Sequence, residues 1–329
     1  MTSSETPKRG ARRFIWLAVG IMVAIGAYTA GWFWVAGEVE ARTAAVIERI
    51  RGDGGNADCA GAEARGYPFR IGLFCQTVNW ADRRGASLRG DGLRTAAQIY
   101  NPFHVVGEMD EAWLGTAGAG SRLSTNAKDV RFSARLDQPL PERASLTARM
   151  ISIDGTPGAA RSTIVLTAAA SEAHMRRNGQ DLDLAFSATD VELSPPGLGR
   201  QLRFASLSAD VAVEDGVRLA EQRPTSLRGL SGQLRSIAVD TGDDAGLTAS
   251  GPLSVDADGL VDGELQITVR NPKELAVFLA ELFPDQARQI QSAFSGIAML
   301  GDNPSLPLTI RKGRAQIAFI TLGTIPPVE

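Results

Sequence analysis

Between Phe14 and Ala36 the chain carries no charged side chain. That run of about 23 residues would be roughly 35 Å long as a helix, enough to cross a hydrocarbon core of about 30 Å with some tilt. Trp16 stands near one end of it, and Trp32, Phe33 and Trp34 stand near the other. Amphipathic rings favour the two membrane–water interfaces, so these residues read as membrane-anchoring belts. Lys8, Arg9, Arg12 and Arg13 precede the run, and Glu38 and Glu40 follow it. The cationic excess on the first side puts residues 1–13 in the cytoplasm, 14–36 in the membrane and the remainder outside. The expectation is a single-pass inner-membrane protein with a periplasmic C-terminal domain.

A cleaved signal peptide shares the basic start, but its apolar region is usually about 7–15 residues and a small-residue cleavage site follows. Val35-Ala36-Gly37 would be a weak site of that kind. Arg12-Arg13 could belong to a twin-arginine export signal, against the plainer reading of a cytoplasmic flank. The two cysteines, Cys59 and Cys75, both follow the anchor. An even pair in an oxidising compartment is expected to form a disulfide. Closing a loop of about 15 residues stabilises by roughly 3 kcal/mol in the chain-entropy picture. Two buried free thiols are the alternative. A metal site is disfavoured, because the chain has no CxxC and neither His104 nor His174 is near in sequence.

Residues 37–55 are expected to prolong the anchor as a stalk helix, with Val39, Val46, Ile47 and Ile50 among charges and Gly52, Gly54 and Gly55 ending it. Beyond it the hydrophobic period is two. Val130, Phe132, Ala134 and Leu136 form one alternating set, and Leu182, Leu184, Phe186 and Ala188 another. Ala205, Leu207, Ala209, Val211 and Val213 form a third, and Leu265, Ile267 and Val269 a fourth. Such alternation means strands with one wet and one buried face, which favours antiparallel pairing. Asn178-Gly179, Asp215-Gly216, Asp258-Gly259, Asp262-Gly263 and Lys312-Gly313 are turn signals. Residues 56–329 therefore read as a mainly β domain, a long antiparallel meander forming a curved or taco-like sheet. The stretch 216–232 looks irregular, and Leu308-Thr309-Ile310 with Ile317-Ala318-Phe319 looks like a closing strand pair.

A helical hairpin is expected over about 272–300. Asn271 can cap and Pro272 fits the first helical position. Leu275, Phe278, Leu279 and Leu282 then recur at helical spacing, Pro284 interrupts, and Ile290, Phe294 and Ile297 share one side of a second helix. This apolar side needs cover, and the nearest partner in sequence is the strand of Leu265, Ile267 and Val269. Together these residues make a lipid-contacting or packing face.

Composition and motifs exclude much of the catalytic repertoire. With 44% hydrophobic and 22% charged residues the chain is not disordered, and 6% aromatics leave the core to Leu, Val, Ile and Ala. A net charge of -3 gives no footprint for nucleic acid. No GxSxG, phosphate loop, GxGxxG, HExxH or EF-hand loop occurs, so no catalytic residue, metal or cofactor is assigned. Acid pairs such as Asp243-Asp244 lie in turn sequence, where solvated carboxylates are the default.

The basic start, Trp32 and Trp34, Gly66-Tyr67-Pro68-Phe69-Arg70 followed by Cys75, and Tyr100-Asn101-Pro102 resemble an uncharacterised bacterial family of anchored envelope proteins. The ending from Leu308 to Pro327, with Gly313, Gly323 and Pro326-Pro327, is similar too. That resemblance implies an envelope location and no known activity. A broader likeness, through Gly251-Pro252-Leu253, Asp258-Gly259-Leu260, Gly263-Glu264-Leu265 and Asn271, is to the AsmA-like proteins. It implies a curved sheet whose apolar inner face carries lipid. The first expectation for function is thus non-enzymatic lipid contact or handling, with membrane lipid as partner. The alternatives are a scaffold that binds another envelope protein and a hydrolase with dispersed acids.

Overall fold

A single helix, α1 (Lys8–Gly52), runs 45 residues without a break in the computed structural model of the chain. The structure describes residues 8–118, 121–156, 163–195, 201–222, 226–242, 244–317 and 320–328. The first seven residues of the expected cytoplasmic tail, Asp243, Ala318 and Phe319 lie outside them. Among the described residues α1 alone is long and apolar enough to cross a membrane. It ends as expected, with Gly54 in the left-handed region at φ 77°. Its last turns hold the first strands: Arg51 Nε donates to the Ala57 carbonyl at 2.9 Å, and Glu40 accepts the Ala64 amide at 2.8 Å.

The rest is one antiparallel sheet of sixteen strands. They are β1 (Asn56–Ala60), β2 (Glu63–Arg65), β3 (Arg70–Ala81), β4 (Ala86–Gln98), β5 (Asn101–Gly118), β6 (Ser121–Arg135), β7 (Arg143–Thr156) and β8 (Ile164–Asn178). There follow β9 (Asp181–Ser194), β10 (Leu202–Val213), β11 (Ser231–Gly242), β12 (Ala245–Val255), β13 (Val261–Arg270), β14 (Ser305–Arg311), β15 (Arg314–Ile317) and β16 (Ile320–Thr324). From β3 on, each strand pairs with the next; β1 and β2 both pair with β3. The two ends of the path do not meet, so the expected meander is an open sheet and not a barrel.

One face is apolar throughout, but the alternation that builds it is interrupted along a line. Val130, Ala148, Ile151, Ala168, Ala188 and Val191 form a buried cluster, with Met109, Ala112, Ala127, Phe204 and Leu207 packed against it. The pairs 109/112, 127/130, 148/151, 188/191 and 204/207 are three residues apart on β5, β6, β7, β9 and β10. In a regular strand such residues point to opposite faces. Here the pleat is broken once in each strand, and Asp129, Met150 and Asp190 sit at the break with φ of 47°, 46° and 48°. The pairing keeps its register across this break, with shifts only between β6 and β7. The register places the breaks side by side: Ile151 pairs with Ala168, Ala168 with Val191, and Val191 with Phe204. It corrects one expectation: Phe204, not the exposed Ala205, belongs to the inner set of β10.

The late helices are α3 (Pro272–Leu282) and α4 (Ala287–Ala298), preceded by the short α2 (Gly216–Gln222). α2 fills part of the stretch expected to be irregular. Asp215-Gly216 therefore leads into a helix, and Asp262-Gly263 lies within β13, so neither makes the expected hairpin turn. Asn271 precedes α3 in a left-handed conformation (φ 47°) and makes no side-chain cap. Leu275 packs with Ala245 and Val269 in a second buried cluster, and Phe278 meets Phe204 edge-on at 5.5 Å between ring centres. α3 thus roofs the inner face over β12 and β13. Leu234, Ala249, Val261, Leu265 and Ile310 close a third cluster beside it.

Candidate functional site

The inner face is left open where β6 to β10 approach the end of the sheet at which β3 meets α1. A groove of about 640 Å³ lies there, lined by Phe132, Ala134, Ala144, Leu146, Ala173, Met175, Leu184, Phe186, Ala209 and Val211. Leu146 and Phe186 are 45% and 46% exposed. A cavity of roughly 300–1,000 Å³ with an apolar lining is the usual form of a small-molecule site. Its depth depends on small residues: a Cβ on Gly107 would lie 2.2 Å from the Phe132 ring. The tip of the ring therefore reaches over residue 107 only because that residue has no side chain.

The residues expected to form a lipid or packing face lie elsewhere on the same surface. Leu265, Val269 and Leu275 are buried; Ile267, Phe278, Leu282 and Phe294 are half-buried. Ile267, Phe278 and Phe294 pack against the cluster under α3. The groove residues Phe132, Ala134, Leu184, Phe186 and Val211 stand in the alternating sets of the sequence. Leu146 and Met175 do not stand out there, because small residues flank the first and His174, Arg176 and Arg177 the second, so neither belongs to a clear period.

The three anchor tryptophans divide. Trp16 and Trp34 are each 73% exposed, whereas Trp32 is 6% exposed and donates Nε1–H to the Arg70 carbonyl at 2.9 Å. Cys59 and Cys75 are disulfide-bonded, with Cα atoms 5.4 Å apart, and tie β1 to β3 five residues along β3 from Arg70.

The opposite, outer face is a lattice of ion pairs. Asp183 is buried between Arg176, at 2.7 Å, and Arg235, which also reaches Asp210 at 3.1 Å. The hydrogen bond from Arg176, joined by Arg235 and opposed by burial, holds the Asp183 carboxyl below the usual aspartate range. Arg94 bridges Glu108 and Asp110 in the same way on β4 and β5. Both histidines are exposed: His104 Nε2 is 3.0 Å from Ser133 Oγ, and His174 Nε2 is 3.5 Å from Glu172. Among the described residues no group of three His, Cys, Asp or Glu side chains could hold a metal ion.

A long apolar N-terminal helix joined to an open antiparallel meander, grooved on its inner face, defines the class of protein. The chain belongs to the family described as uncharacterized proteins conserved in bacteria (DUF2125), whose model matches residues 32–326. The match begins at Trp32 and takes in the whole sheet. No curated protein and no solved structure matches the chain, so these comparisons do not carry the likeness to AsmA-like proteins.

Proposed function

We propose that this is a non-enzymatic lipid-handling protein of the bacterial envelope, held in the inner membrane by α1 with its sheet in the periplasm, and that the groove takes an acyl chain. The observation that carries the reading is the groove itself: about 640 Å³, apolar in its lining, and left unroofed by the described residues on a face that α3 covers elsewhere. Each methylene moved from water into such a site contributes about 0.8 kcal/mol. The groove also lies at the end of the strands nearest the anchor, and the Cys59–Cys75 bond fits an oxidising compartment. Native mass spectrometry of the full chain released from detergent tests it. Wild type should retain a lipid that Phe186→Asp loses; equal retention by both contradicts the proposal.

A second reading, a scaffold for another envelope protein, draws on β16. Its outer edge pairs with no strand among the described residues, and open edges recruit added strands. Pull-down of a partner that is lost on substituting Thr321 by Pro would favour it.

A further inference from the structure

The chain has three tyrosines, and all of them gather where the sheet meets α1. Tyr28 donates its hydroxyl to the Pro68 carbonyl. The hydroxyls of Thr29 and Tyr67 are 2.8 Å apart, and Trp32 reaches Arg70. Tyr100 sits in the turn between β4 and β5, joined to the same place by the Ile99 amide, which donates to the Phe69 carbonyl at 3.1 Å. The clasp fixes a depth. Tyr28, Thr29 and Trp32 belong to the uncharged run, and Tyr28 stands roughly 12 Å short of Ala36 at 1.5 Å per residue. The turn formed by residues 66–70 is therefore held alongside a part of α1 that lies within the apolar span.

Two features of the turn fit that depth. Four of its five main-chain carbonyls are bonded within the protein: those of Gly66, Pro68, Phe69 and Arg70 accept from Arg70, Tyr28, Ile99 and Trp32. Pro68 has no N–H to satisfy. Irregular backbone enters a bilayer only when its polar groups are bonded within the protein. Large rings point outward from it and from the neighbouring turn, Phe69 70% exposed, Tyr100 77% and Phe103 66%, with the polar heads of Arg70 and Asn101 exposed beside them. In water these rings would be an unexplained patch, whereas at a membrane interface tyrosine and phenylalanine are at home.

We infer that the turns around Phe69 and Tyr100–Phe103 form a second membrane contact, seated in the outer interface beside α1, so that the sheet rests on the bilayer and does not stand off it on a stalk. This rests on α1 crossing the membrane and not on the groove holding lipid. The bound surface is lipid, not a protein partner, because the clasp fixes the patch against the membrane-spanning part of the helix.

Nitroxide labels test it in the full chain, reconstituted into vesicles of phosphatidylethanolamine and phosphatidylglycerol. Single substitutions Phe69→Cys, Tyr100→Cys and Phe103→Cys place labels on outward side chains. Val23→Cys on α1 serves as the lipid reference, and Arg84→Cys at the far end of β3 as the aqueous one. Mass measurement confirms that Cys59 and Cys75 stay bonded. The ratio of collisions with oxygen to collisions with a water-soluble nickel chelate should be several-fold higher at 69, 100 and 103 than at 84. Water-like ratios at all three beside a lipid-like ratio at 23 would overturn the contact alone. A water-like ratio at 23 would overturn the anchor, and this inference with it. Three independent sites keep the outcome decisive if one label disturbs folding.

Discussion

Over β12 and β13 the inner face of the sheet is roofed by α3, whereas over the near ends of β6 to β10 no described residue roofs the same face. Both regions follow the same rule of apolar residues on one side of antiparallel strands. Leu265, Val269 and Leu275 are buried in the first; Leu146, Leu184 and Phe186 are 40–46% exposed in the second. The lesson is that amphipathic alternation makes a face, while the element laid across it decides whether the face becomes core or site. Burial of an apolar side chain contributes about 1.5–3 kcal/mol. Leaving several half-open forgoes stability that a bound chain can restore.

That contrast can be broken by substitution, and the largest effects belong to the roofed region. Leu275→Ala should cost about 3 kcal/mol, as expected when a buried leucine leaves a cavity. Urea denaturation of the full chain in detergent checks it, and a cost under about 1 kcal/mol would mean that α3 is not a true lid. Phe278→Ala should cost less, about 2 kcal/mol, because the ring, packed against the cluster under α3 and edge-on to Phe204, is only half-buried. Phe294→Asp should likewise lower stability without changing retained lipid, the opposite of Phe186→Asp.

Much of this architecture was legible in the sequence where strands are regular. β13 alternates without a bulge, so Leu265, Ile267 and Val269 announce their face directly. β10 does not: a break in the pleat at Ala205, across which the register is kept, reverses the parity, and nothing in the local sequence marks it. Asp129 and Asp190 read as ordinary outward polar positions, and Met150 has no turn chemistry at all. Asp262-Gly263 misleads for another reason. Gly263 sits mid-strand opposite Leu253, where a Cβ would lie 3.0 Å from the Pro252 carbonyl, so the glycine serves close approach and not a turn. The groove could not be read from the sequence, because what α3 covers depends on contacts between elements distant along the chain.

A smaller effect lies beneath the open region, on its polar side. The Asp183 carboxyl is held below its ordinary pKa, so its contribution is present above about 3.9, the unfolded aspartate value. It is lost as pH falls through the lower folded value. Asp183→Asn should therefore flatten the acid limb of the stability profile below about pH 4 and leave its shape at neutral pH unchanged, as read by thermal melts across pH. An unaltered acid limb would show that the Arg176–Asp183–Arg235 bridge contributes nothing. The smallest effect is expected in the groove: Leu146→Ser should change stability by under about 0.5 kcal/mol, as exposed positions do. A cost of about 2 kcal/mol there would mean that the groove is packed core.

The central claim, that the unroofed half receives an acyl chain, is tested most directly by photocrosslinking. The full chain is placed in vesicles containing a phospholipid with a diazirine at the end of one acyl chain, irradiated, digested and mapped by mass spectrometry. The account predicts adducts on the peptides bearing Phe132, Leu146 and Phe186, in addition to those on α1, and their loss in Phe186→Asp. Adducts confined to α1 and the turns around Phe69 and Tyr100 would contradict it.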